Sequence, residues 1–168
     1  MHAMTRRIAL LCCLALAALG ATTHARAAES CSVATTDIAF GTYNPVSTTP
    51  LDGAGQVAVD CQGNGHFVEI ALGTGGATTY AGRRMILGTD AMSYNLYTDA
   101  ARSIVWGNGS AGTSTVSCTT GDSTSGCTGS NPNGGTQRAT RAIFGRIPAL
   151  QNLGAGTYTD TIQVTVTF

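Results

Sequence analysis

Along residues 31–168, apolar positions recur every second residue in short runs separated by Gly, Asn, Asp and Pro. No stretch sustains a 3.6-residue period, so the pattern predicts strands and turns rather than helices. Residues 31–40 (CSVATTDIAF) place Ile38 and Phe40 on one face, but Val33 falls out of phase with them. A bulge or a change of sheet near Thr35 and Thr36 would reconcile the two halves. Residues 41–51, with Pro45 and Pro50, read as a loop. Strands follow over residues 56–61, where Val57 and Val59 alternate, and over 66–72, where Val68, Ile70 and Leu72 oppose Phe67, Glu69 and Ala71. Gly63-Asn64-Gly65 between them carries a hairpin signal.

Residues 84–87 and 92–98 read as two strands about a turn at Gly88, Thr89 and Asp90, and residues 103–106 as a short one. Residues 119–136, rich in Gly, Ser, Thr and Asn, read as a surface excursion, with order returning over 138–147 until Pro148. The final run, YTDTIQVTVTF over 158–168, puts Tyr158, Ile162, Val164, Val166 and Phe168 on one face of a long half-buried strand. About seven strands at this spacing predict a β-sandwich. Tyr94, Tyr97 and Trp106 are expected to pack within it rather than form a ligand platform.

The first residues are of another kind. Arg6 and Arg7 precede an apolar run over 8–21 and a small-x-small site at Ala25-Arg26-Ala27. Together they predict a secretory signal peptide over 1–27 and a mature domain over 28–168. The run is shorter than the ~20 apolar residues of a retained membrane helix. With residues 1–27 removed, six Arg face nine acids, a net charge of −3, and there is no Lys. No basic stripe with aromatics is present, which argues against nucleic acid as a partner.

Export also accounts for the cysteines. Cys12 and Cys13 lie in the leader, leaving Cys31, Cys61, Cys118 and Cys127. Four cysteines allow three pairings. Cys31 opens the first strand-like segment and Cys61 closes the second, so antiparallel pairing of the two would set them side by side. That favours Cys31 with Cys61, and Cys118 with Cys127. A zinc site is the rival reading, but the spacings fit poorly and His66 is the only histidine beyond the leader. Catalysis is disfavoured on the same inventory. His66 follows a turn, the aspartates are separated singles beside turns, and no glycine run ends in the GK[ST] of a phosphate loop. No cofactor or metal is expected.

Four segments in order, CSVATTDIAFGTYNP, VDCQG, YNLYTDAARSIVWGNG and GRIPALQNLGAGTYTDTIQVTVTF, make the chain resemble the spore coat protein U domain family. That family includes subunits of archaic, Csu-type chaperone-usher pili. The resemblance implies an all-β fold, an incomplete immunoglobulin-like sandwich lacking its final strand, with a groove beside the terminal strand. It also implies three kinds of partner: a periplasmic pilus chaperone, an outer-membrane usher, and other pilus subunits that lend strands to the groove. On this sequence Ile162, Val164, Val166 and Phe168 would line one wall and Ile38 and Phe40 would contribute to the other. The Phe168 carboxylate would anchor basic residues of the chaperone.

One departure from the family concerns the donor segment. Only Ala28, Glu29 and Ser30 separate the expected cleavage site from Cys31, and residues 22–30 lack the alternating large apolar residues of a donor strand. The expectation is a subunit that accepts a strand but cannot give one, at a fibre tip or as a free secreted protein. The polar 118–127 loop does not resemble an apolar adhesive finger. The alternative to a pilus subunit is a self-contained secreted coat or matrix protein.

Overall fold

The structure is a computed structural model that describes residues 30–63, 65–123 and 126–168. The expected signal peptide, the two residues expected to follow it, and residues 64, 124 and 125 lie outside these residues. Ten strands are described. They are β1 (Cys31–Thr36), β2 (Leu51–Gln62), β3 (Phe67–Leu72), β4 (Arg84–Leu87), β5 (Asp90–Ser93), β6 (Asn95–Tyr97), β7 (Val116–Thr119), β8 (Thr128–Asn133), β9 (Thr136–Ile147) and β10 (Val164–Thr167). Among the described residues one 3-10 turn occupies Tyr80–Gly82.

Two sheets face each other. The larger runs β1-β2-β9-β6, with β8 also on β9, and the smaller runs β10-β3-β7. A separate hairpin pairs β4 with β5. Odd-numbered residues of β2 and β9, among them Val57, Val59, Ile143 and Ile147, meet the even-numbered Val68, Ile70 and Leu72 of β3 in a fully buried core. Each such side chain contributes about 1.5–3 kcal/mol on burial. Trp106 lies at the centre with no exposure, its indole N–H donating to the Ile70 carbonyl at 3.0 Å. Tyr94 is buried as well, whereas Tyr97 is half-buried.

The two disulfides pair Cys31 with Cys61 and Cys118 with Cys127. The first joins residues directly opposite in the β1–β2 ladder, with Cα atoms 4.1 Å apart. At Thr36 the chain leaves that ladder, so Val33 and the pair Ile38 and Phe40 belong to different surroundings, which accounts for the break in phase. Val33 is 46% exposed, while Ile38 and Phe40 pack against the core.

Several elements differ from the sequence reading. The Gly63–Gly65 connection is not a hairpin. Both edges of β2 are taken, by β1 and β9, so β3 crosses to the opposite sheet. The polar excursion contains β8, which returns onto β9 through Gly134 and Gly135. Pro132 falls where that ladder loses register, a place where a missing N–H costs little. The expected 92–98 strand divides at Tyr94 into β5 and β6, and 103–106 forms only bridges, at Val105 and Trp106. The expected loop over 41–51 ends earlier than read, because Leu51 already begins β2. The terminal strand is continuous only from Val164 to Thr167, preceded by a lone bridge of Thr159 with Ile86.

Candidate functional site

The shortening of the terminal strand marks a gap in the sandwich. On one side of it run residues 35–43 and on the other residues 153–164. Between them lie two cavities, about 530 Å³ and 580 Å³, that share Ile38, Phe40, Met85 and Tyr158 and so form one continuous groove. Leu72, Leu96 and Ile143 of the core are visible at its floor.

Both walls carry main chain with unused hydrogen-bonding capacity. No hydrogen bond joins the backbone of residues 37–42 to another described residue. Opposite, Gly73 N donates to the Gln163 carbonyl at 2.8 Å, and Thr159 exchanges both of its bonds with Ile86. In an antiparallel ladder alternate residues direct N–H and C=O to the same side. The odd-numbered residues 159, 163, 165 and 167 thus face β4 and β3. The backbone groups of Ile162, Val164 and Val166 point the other way, into the gap, and β10 is an edge strand on that side.

The wall formed by residues 37–42 is held by side chains instead of a ladder. Ile38 and Phe40 lie across Gly53 and Gly55 of β2 and Gly145 of β9. A Cβ on Gly145 would come within 2.6 Å of the Phe40 ring, and one on Gly55 within 2.7 Å of Ile38. Gly53 and Gly145 are opposite each other in the β2–β9 ladder, so their bare faces make a shallow seat. Phe40 also meets Tyr94 edge-to-face at 6.0 Å. Beyond it the Tyr43 hydroxyl donates to the Pro148 carbonyl and accepts from Gln151 N, at 2.9 and 2.8 Å, pinning the far end of the wall.

The groove is not uniformly apolar. Asp160 follows the inward parity of Ile162 and Val164, and its carboxylate accepts from the Tyr94 hydroxyl at 2.7 Å, Gly76 N at 2.9 Å and Thr161 N at 2.8 Å. Burial, reinforced by that hydrogen bond, holds the Tyr94 phenol far above its ordinary range. Behind it, Arg83 is 1% exposed and donates to the carbonyls of Gly73 and Trp106 and to Asn95 Oδ1, at 2.6 to 3.1 Å. Removal from water, the largest influence, lowers its pKa from the usual guanidinium value.

Of the residues singled out from sequence, Ile38, Phe40, Ile162 and Val164 line the groove together. Val166 is half-buried beyond the groove lining, and Phe168 is 57% exposed. The sequence reading missed the glycine seat, Met85, Leu153 and the inward Asp160. Asp160 left one trace, an acid interrupting an otherwise apolar alternation. Among the described residues no group of three or more His, Cys, Asp or Glu is placed to hold a metal. His66 sits in the connection between the sheets, its Nε2 2.8 Å from the Gln62 carbonyl.

Two facing sheets, an inter-strand disulfide and an unfilled edge define a β-sandwich of the immunoglobulin-like, incomplete kind. Comparison with known proteins agrees. The Spore Coat Protein U domain matches residues 15–165, and the chain belongs to that family. It is 33% identical over 143 residues to Protein U of Myxococcus xanthus, covering 77% of this chain and 70% of that one. Among solved structures it is similar, with a TM-score of 0.51 and 20% identity, to a chain in the CsuC-CsuE chaperone-tip adhesion subunit pre-assembly complex from archaic chaperone-usher Csu pili of Acinetobacter baumannii. That likeness is one of fold. It covers 84% of this chain, which spans 40% of the other's length.

Proposed function

We propose that this protein is a non-enzymatic structural subunit of an extracellular fibre, and that its groove is completed by a strand from another polypeptide. On this reading a periplasmic chaperone supplies the strand first. After passage through an outer-membrane usher, a neighbouring subunit replaces it at the cell surface. A place at the fibre tip, with a role in adhesion or biofilm formation, extends the same reading. The observation that carries it is the groove itself: apolar floor, and main chain free of ladder partners on both sides. An added strand would form hydrogen bonds to both walls while its alternate side chains enter the floor. The same open edge makes the free domain prone to wrong pairing. Family membership and the likeness to a chain from a pilus chaperone–subunit complex support the assignment.

Expression in the periplasm tests it. With a cognate chaperone the chain should be recovered as a soluble one-to-one complex, and without one it should aggregate or mis-assemble. A stable monomer that neither gains stability from a chaperone nor takes up a donor peptide would overturn the reading in favour of a self-contained coat or matrix protein.

A further inference from the structure

The two walls of the groove carry charge of one sign. Asp37 lines one side and Asp160 the other, and no Arg, Lys or His is among the described residues lining either cavity. Asp37 is exposed and has no ion-pair or hydrogen-bond partner among the described residues. Asp160 has three partners for the roughly four acceptor sites of a carboxylate, two on Oδ1 and one on Oδ2, which leaves Oδ2 room for one more donor. Arg83 feels the Asp160 charge, but it is sealed behind the wall with its N–H groups turned to Gly73, Trp106 and Asn95. An incoming strand that is wholly apolar would cover Asp160 and leave that acceptor site dry and unpaired, at the desolvation cost of a buried polar group.

We infer that the strand received by this groove carries one basic side chain among its alternating apolar residues, at the position that passes between Asp160 and Asp37. The inference rests on the groove being a strand acceptor and adds what chemistry it selects. The cation completes the Asp160 carboxylate, draws on the unpaired Asp37, and fixes the register of an otherwise repetitive apolar ladder. A one-step slip would turn it out of the groove, and a two-step slip would set it against Leu72, Leu96 or Ile143. A strand with an acid at that place is rejected by both walls.

The test is a set of synthetic peptides of alternating apolar residues, bearing a single Arg, Gln or Glu at each inward position in turn, titrated onto the folded, disulfide-intact chain. At one position the Arg peptide should bind about tenfold more tightly than the Gln peptide, and the Glu peptide more weakly than either. The Arg preference should shrink severalfold in Asp160→Asn and in Asp37→Asn. Asp37→Asn breaks no hydrogen bond, so its fold is not at risk. If Asp160 served only to hold Tyr94 and Gly76, Asp160→Asn would weaken the Arg and Gln peptides equally. That result, or an Arg preference absent at every position, would overturn the inference while leaving strand acceptance intact. Failure of every peptide, the all-apolar one included, would overturn the strand-accepting groove itself and this inference with it.

Discussion

Replacing Gly145 by Ala tests whether the groove wall rests on bare glycine. The new methyl would lie 2.6 Å from Phe40 Cζ and 2.7 Å from Cε1, and 3.2 Å from Ile38 Cγ2. Carbon atoms pack at about 3.5–4.0 Å, so the ring must retreat by about 1 Å. Gly53 lies beneath the same ring and Tyr94 beside it, so the open direction is the groove. Overpacking of this kind costs about 1–3 kcal/mol. Loss of glycine's freedom in the unfolded chain returns about 0.4–1 kcal/mol, leaving a net destabilisation of about 0.5–2 kcal/mol. For a domain of this size that is a melting-temperature drop of about 2–8 °C. Strand binding should suffer beyond the stability loss, because Phe40 then occupies space an incoming side chain needs. Thermal unfolding and donor-peptide titration, on Gly145→Ala and on Gly145→Ala with Phe40→Leu, make the assay. The smaller residue at 40 should restore binding in the double variant. A Gly145→Ala protein that melts at the wild-type temperature and binds strands normally would refute the reasoning.

Two further outcomes follow from covalent and charged cross-links. Replacing Cys31 and Cys61 by Ser opens a loop with a sequence separation of 30. On chain entropy this should lower stability by about 3–4 kcal/mol, read as a lower denaturant midpoint, and an unchanged midpoint would contradict it. The hydrogen bonds from Arg146 and Arg138 hold the carboxyls of Asp52 and Asp60, respectively, below their ordinary pKa of 3.8. Because the folded values are the depressed ones, the stability these pairs contribute is present above about pH 4 and lost as pH falls through the folded values. Both pairs are largely solvated, so each contributes only a small part of the stability. The melting temperature should be level from about pH 7 to 5 and fall below about pH 4, less steeply in Asp52→Asn with Asp60→Asn. An identical acid profile in that variant would remove the pairs from the account.

What could be read from the sequence was whatever a local period dictates. Val57 and Val59, and Val68, Ile70 and Leu72, declared two strand faces, and both are core. The Cys31–Cys61 pairing followed once those segments were set antiparallel. The phase break at Val33 announced the departure of the chain at Thr36. Choices made by distant partners were not legible. Gly63-Asn64-Gly65 has hairpin chemistry, yet whether β3 folds back or crosses over depends on β9, more than seventy residues away, already holding the free edge of β2. Gly53 and Gly55 fell between the loop read over 41–51 and the strand read over 56–61, since glycine usually weakens a strand. Here they lie within a strand because Ile38 and Phe40 must approach its backbone closely. Arg83 gave no signal, since its acceptors are carbonyls that only the tertiary fold gathers.

The construction of the 37–42 wall explains how the groove stays open without collapsing. A segment with no ladder bonds has little reason to stay extended, and an edge strand such as β1, exposed along most of its length, would fray with it. The chain counters this at both ends. The Cys31–Cys61 bond fixes the start of β1 to β2, and the Tyr43 hydroxyl ties the other end to Pro148 and Gln151. Between these anchors Ile38 and Phe40 are seated on Gly53, Gly55 and Gly145 by van der Waals contact alone. Side-chain seating fixes where the wall is while leaving its N–H and C=O groups uncommitted. A wall held by a ladder would have fixed its position by using those same groups. The glycines, the disulfide and the tyrosine clamp are therefore parts of one arrangement, and their combined effect is an extended edge that is held in position while its backbone stays free of ladder partners among the described residues.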